Sequence, residues 1–277
     1  MDFKSKEIIF KPITKDNTRI TSHVENNKIG VLDLEVFNDD EPKVYAGGIY
    51  TYMSEQYSPL LFYIDETTKD SYNLVLEIIN EMLRPKYKGV IFYWHNFGKY
   101  DFNFILPVLL DYNAKHGKEI FKLDPIFKDN RVLQLTIRKI KSNNDKTYNS
   151  VTIRDSYAIL NKSLAVLGKE LNVEVHKGSF PHDFATLNTL FYKGNTPDYK
   201  YYDFDDIDMD EKLFKKNFYS LHCDFKEEAC KYLKDDLVSL FQVIIKANKI
   251  MFLNFRINIT DSLTISGLAS KIFRRYH

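Results

Sequence analysis

Apolar residues follow two rhythms along this chain, and the change from one to the other falls within a single stretch, residues 89–110, GVIFYWHNFGKYDFNFILPVLL. Val90, Ile91, Phe92, Tyr93 and Trp94 form a short β-branched and aromatic run, which predicts a buried strand. Phe102, Ile105, Leu106, Leu109 and Leu110 then recur at helical spacing, with Gly98 permitting a tight turn between. The polar residues His95, Asn96 and Asp101 stand at that junction. Asp101 falls in the first turn of the predicted helix, at the strand's carboxyl end, where open α/β sheets usually bind ligands. Taken alone, it is equally a helix N-cap.

Upstream, residues 28–37 read as another strand, with Ile29, Val31, Leu32, Leu34 and Val36 interrupted by Asp33 and Glu35. Side chains at i and i+2 project from the same side of a strand, so these two carboxylates lie a few ångströms apart. Such a pair repels itself unless a cation neutralises it; the alternative, a solvent-facing pair, suits an amphipathic strand, whereas apolar residues on both faces suit a central one. Residues 43–52 and 60–64 read as the next two strands and 72–83 as an amphipathic helix. The order β-β-β-α-β-α is that of an antiparallel meander joined to parallel strands, an α/β, ribonuclease H-like layout with helices flanking a mixed β-sheet.

Further along, 131–141 and 147–155 are strand-like and joined by Ser142-Asn143-Asn144-Asp145, which predicts an inserted β-hairpin or a sheet extension. A short helix is expected over 161–171, mostly loop over 172–202, and a solvated acidic loop over 203–211. The longest helix is expected from Asp224 to about residue 252, opened by Asp224 with Glu227 three residues on in the manner of a capping box. On it Tyr232 and Asp236, four apart, share a face while Asp235 points elsewhere. Three patterns therefore succeed one another: D-x-E on a central strand, H-N-x4-D entering a helix, and Y-x3-D on a late helix. Four carboxylates and one tyrosine can converge on hard divalent cations.

With 277 residues and 44% hydrophobic content the chain can bury a substantial core. A net charge of +1 neither supports nor excludes a nucleic-acid partner. Cys223 and Cys230 lack the paired spacing of a zinc site and read as buried thiols. No apolar run approaches the length of a membrane span, so no membrane partner is expected, and the N-terminus does not resemble a signal or transit peptide. The 19 Tyr and 21 Phe against 10 Gly and 8 Pro match A·T-rich codons, as in an organelle genome or one of its genetic elements.

From residue 28 onward these patterns resemble the 3′-5′ exonuclease domain of family B DNA polymerases, and within that family the protein-primed enzymes of fungal mitochondrial linear plasmids and phages. Asp33-Leu34-Glu35 matches the first motif, His95-Asn96 with Tyr100-Asp101 the second, and Tyr232 with Asp236 the third. Asp155-Ser156-Tyr157 resembles the serine motif, and Lys177-Gly178-Ser179-Phe180-Pro181-His182 the lysine loop. The resemblance implies a ribonuclease H-like exonuclease domain over 27–255, after a lead-in over 1–26. A junction helix at 256–277 would lead toward a polymerase module whose own motifs are absent from this chain.

It further implies Asp33, Glu35, Asp101 and Asp236 as ligands of two divalent metal ions, Mg²⁺ or Mn²⁺, with Tyr232 completing the catalytic set. His95, Asn96, Tyr100, Ser156, Tyr157, Lys177 and His182 would hold single-stranded DNA at a primer 3′ end. Lys231 stands where the histidine-containing branch of the superfamily has its base. A polymerase module and a terminal priming protein are the implied partners, and a mitochondrion the implied setting. A free-standing four-carboxylate ribonuclease shares the three patterns, and a catalytically idle plasmid remnant is the non-enzyme alternative.

Overall fold

β1 (Ile29–Phe37), β2 (Lys43–Thr51) and β3 (Leu60–Tyr63) form the expected antiparallel meander. The chain then crosses through α1 (Ser71–Met82) to β4 (Ile91–Trp94), which lies parallel to β1. The computed structural model describes residues 24–37, 39, 41–140, 148–176, 178–202, 211–218 and 221–276. α2 (Phe102–Lys115) follows β4, then β5 (Phe121–Lys128), β6 (Arg131–Ile140) and β7 (Tyr148–Asp155). The β7 strand pairs antiparallel with β6 and parallel with β4, giving a seven-stranded sheet in the order β3-β2-β1-β4-β7-β6-β5. The meander with parallel strands beside it is the ribonuclease H-like arrangement. Its predicted hairpin is the sheet extension, with β7 inside the sheet between β4 and β6; the linking residues 141–147 lie outside the described residues.

The sheet is covered on both faces because successive β2 residues face opposite ways. A Cβ on Gly47 would stand 2.6 Å from Ile78 of α1, and one on Gly48 would stand 2.6 Å from Leu237. Leu237 belongs to α5 (Phe225–Phe255), the long helix expected from Asp224, whose carboxylate accepts the Glu227 N–H at 3.3 Å. Gly48 is also the cross-strand partner of Asp33, so the close approach it allows seats α5 directly over the first acidic motif. Buried Leu233, Leu237, Leu240, Val243 and Ile244 form the helix's inward stripe.

α3 (Leu164–Glu170) is shorter than the 161–171 spacing suggests, and α6 (Ile265–Tyr276) occupies the later part of the 256–277 stretch where a junction helix is expected. Among the described residues, β5, α4 (Glu211–Phe218) and the paired three-residue strands β8 (Lys193–Asn195) and β9 (His222–Asp224) lie where neither a strand nor an α-helix was expected. The acidic residues 203–210 lie outside the described residues.

Candidate active site

β1 and β4 are parallel neighbours, and the chain leaves β1 toward β2 but leaves β4 through α2 toward β5 on the other flank. Such a reversal of strand order is of the kind where open α/β sheets bind ligands along the carboxyl edge. Asp33 and Glu35 stand on β1 at that edge, and α5 brings Asp236 down onto them. One oxygen from each of Asp33, Glu35 and Asp236 lies within 4.8 Å of the others. Glu35 and Asp236 are only 6% and 4% exposed. Three carboxylates this close, with two of them buried, repel strongly in a poorly solvated site, and hard oxygen donors so arranged fit a divalent cation. The indole N–H of Trp94, at the end of β4, donates to Asp33 at 3.1 Å and fixes its orientation.

Asp101 stands outside that group of three but close enough to Asp33 for their charges to interact. Burial first, and the Asp33 charge second, push its pKa up to about 8. It occupies the N-cap position of α2, yet its side chain makes no capping hydrogen bond, so the simple cap does not account for it. Tyr232 is 5% exposed and hydrogen-bonds Asp236. Burial, reinforced by Asp236, Glu35 and Asp33, raises its pKa far above that of a free phenol, so the metal-free site holds it as a neutral hydroxyl.

The residues assigned to strand binding divide into groups. His95 and Ser156 are joined, Nδ1 to Oγ at 2.9 Å, and the other His95 nitrogen meets the Lys162 carbonyl at 3.0 Å. Ser156 is fully buried and its hydroxyl also donates to the Trp94 carbonyl, so it would act on a strand through His95. The Asn96 side-chain oxygen accepts from Arg131 at 2.8 Å, and Arg131 in turn lies 4.9 Å over the Tyr157 ring. Tyr100 is exposed beside Asp101, its ring edge-on to Phe104. His182 lies elsewhere, with Nδ1 3.9 Å from Glu35 and its ring against Tyr232. Lys177 lies outside the described residues.

Asp155 was missed as a site residue, although it organises the turn that carries Asp101. Its buried carboxylate accepts N–H groups from Asn96 (3.1 Å), Gly98 (3.2 Å) and Tyr157 (2.9 Å) and faces Arg131 at 3.6 Å. Asn96 takes a left-handed backbone, φ 65°, to make this turn. At Gly98 a Cβ would meet the Val132 carbonyl oxygen at 2.1 Å, so only glycine lets the turn lie against β6. Burial raises the Asp155 pKa, with the N–H groups and Arg131 pulling against it. Asp155→Ala strands these donors in a dry site and should cost about 2–3 kcal/mol in urea unfolding. A loss below about 0.5 kcal/mol, the level of an ordinary surface change, would refute the bracing role.

Residues 81–277 match the family model described as DNA polymerase type B, organellar and viral. The chain belongs to this family. Among its type B relatives, a probable DNA polymerase of Podospora anserina is 30% identical across 99% of this chain and 26% of its own length. A probable DNA polymerase of Neurospora intermedia is 32% identical across 70% of this chain and 20% of its own length. This type B polymerase chain thus spans about a quarter or less of those two relatives. The orthorhombic crystal form of Phi29 DNA polymerase aligns with a TM-score of 0.48 at 12% identity, over 88% of this chain and 33% of that one.

Proposed function

We propose that this part of the type B polymerase chain is a metal-dependent 3′-5′ exonuclease, removing the terminal nucleotide from single-stranded or frayed DNA as the proofreading step of replication. The observation that supports it is the convergence of Asp33, Glu35 and Asp236 within 4.8 Å where β1 and α5 meet, with Asp101 near enough to Asp33 for their charges to interact. Two divalent cations, Mg²⁺ or Mn²⁺, held by these four residues would neutralise the phosphodiester charge and acidify the attacking water.

The chain's own groups then have distinct tasks. Trp94 holds Asp33 in orientation, and Tyr232, kept protonated, donates a hydrogen bond and cannot serve as a base. Exposed Tyr100 and the Tyr157 ring offer faces for bases to stack upon, and Asn96, set by Arg131, offers a side-chain amide. The greater length of the relatives supports a polymerase module elsewhere in the same protein, and protein-primed initiation with a terminal priming protein belongs to this reading. A mitochondrial setting belongs to the same reading.

Single-turnover degradation of a short 3′-unpaired DNA with Mg²⁺, alongside RNA of the same sequence, tests the proposal. Stepwise loss from the DNA 3′ end is expected. Preference for RNA would favour the ribonuclease alternative, and no Mg²⁺-dependent hydrolysis of either would favour the idle remnant. Tyr232→Phe should slow the DNA reaction by about 10–10³-fold, the worth of one well-placed hydrogen bond.

A further inference from the structure

The Tyr232 hydroxyl is useful only while it points at Asp236. Tyr232 borders an open cleft of about 360 Å³ that Ser179, Cys223 and Lys231 also line. A tyrosine on a helix facing such a space would sample more than one side-chain rotamer unless other groups confine it.

Two rings from the segment 178–184 do so. Phe180 stacks on Tyr232 with centroids 5.0 Å apart and planes 26° apart. His182 meets Tyr232 edge-on, at 5.0 Å and 83°, and meets Phe180 at 5.1 Å and 75°. The pair is itself anchored. Phe180 is buried and lies 5.2 Å from the ring of Phe225 at the start of α5, and the His182 N–H donates to the Phe180 carbonyl at 2.9 Å. Stacked and edge-to-face contacts at these distances are directional, and two of them at a steep angle fix a ring about both of its rotatable bonds.

We infer that Phe180 and His182 are positioning residues that clamp the Tyr232 ring so that its hydroxyl stays on Asp236. The inference rests on the hydrolytic reading above. It gives His182 a task within the carboxylate site, through Tyr232, in addition to any contact with a strand.

The test is a pair of double-mutant cycles on single-turnover DNA hydrolysis with Mg²⁺: Phe180→Leu and His182→Ala, each in the wild-type and Tyr232→Phe backgrounds. With Tyr232 present, each should lower kcat by about 10-fold, and in buried Phe180→Leu KM should move by less than about 2-fold, because a transition-state contact is lost and binding is not. With Phe at 232 there is no hydroxyl to aim, and the same substitutions should change kcat by less than about 2-fold. His182→Ala guards against misfolding of the buried Phe180 variant, since the His182 side chain is 40% exposed. Equal losses in both backgrounds would overturn the clamp. So would an unchanged kcat in Tyr232→Phe alongside an inactive Asp236→Ala, which would leave the hydrolytic reading standing. Full activity in Asp236→Ala would overturn both.

Discussion

Asp236→Ala is expected to lower Mg²⁺-dependent hydrolysis of a 3′-unpaired DNA by on the order of 10³–10⁵-fold, several kcal/mol of transition-state stabilisation. The substitution removes one of three carboxylates that lie within 4.8 Å of one another, and with it the group that receives the Tyr232 hydrogen bond. Stability should move in the opposite direction. Taking one charge from a cluster of like charges relieves repulsion, so the metal-free variant should unfold at the same or higher urea concentration than wild type. The two readouts together separate lost chemistry from lost fold. A variant that keeps its rate within about tenfold of wild type would show that the cluster is not where hydrolysis occurs.

Much of this architecture was legible because the core strands carry their own signal. β1, β2 and α1 lie within a residue or two of the expected spans, since their apolar positions repeat at the strand and helix periods over at least nine residues. β5 was missed because Asp124 and Pro125 interrupt it. An edge strand tolerates a proline that a central strand would reject, and Ile126 and Phe127 on it remain exposed. A turn signal was nonetheless present: Asp129 and Asn130 both take positive φ, 50° and 60°, between paired Lys128 and Arg131, the two-residue hairpin that Asp and Asn favour. β8 and β9, at three residues each, are too short for any alternation to show.

In the site, the side chains fixed by local geometry were legible and those fixed by long-range packing were not. The i, i+2 spacing of Asp33 and Glu35 and the i, i+4 spacing of Tyr232 and Asp236 each impose a shared face whatever the rest of the chain does. Asp155 contacts backbone N–H groups 57 and 59 residues away, and no periodicity encodes such a bond. Likewise Phe180 and His182 lie in a loop and a single 3-10 turn (His182–Phe184), and no periodicity encodes their packing onto a helix some fifty residues later. Asp101 is intermediate: its place at the strand-to-helix junction was legible, but its proximity to Asp33 depends on β1 and β4 lying side by side.

That proximity has a large thermodynamic consequence. With a folded-state pKa of about 8 against 3.8 for an ordinary aspartate, Asp101 holds a proton in the native state over a pH range where the unfolded chain has released it. Through this group the native state binds more protons between those two values, and Asp101's contribution to stability falls as pH rises from about 4 to about 8, then levels off. Discounted for the neighbouring charges and partial solvent access, the loss should be on the order of 2–4 kcal/mol. Asp101→Asn mimics the protonated carboxyl, so it should match wild type near pH 4 and exceed it by that amount near pH 9. Urea unfolding of both proteins across this range, in EDTA, measures the difference directly. Parallel pH profiles for wild type and Asp101→Asn would mean that Asp101 is an ordinary solvated acid. Repeating the series with Mg²⁺ adds a second test, because a cation that binds beside Asp33 favours the ionised Asp101 and should restore wild-type stability near pH 9 while leaving Asp101→Asn comparatively unmoved.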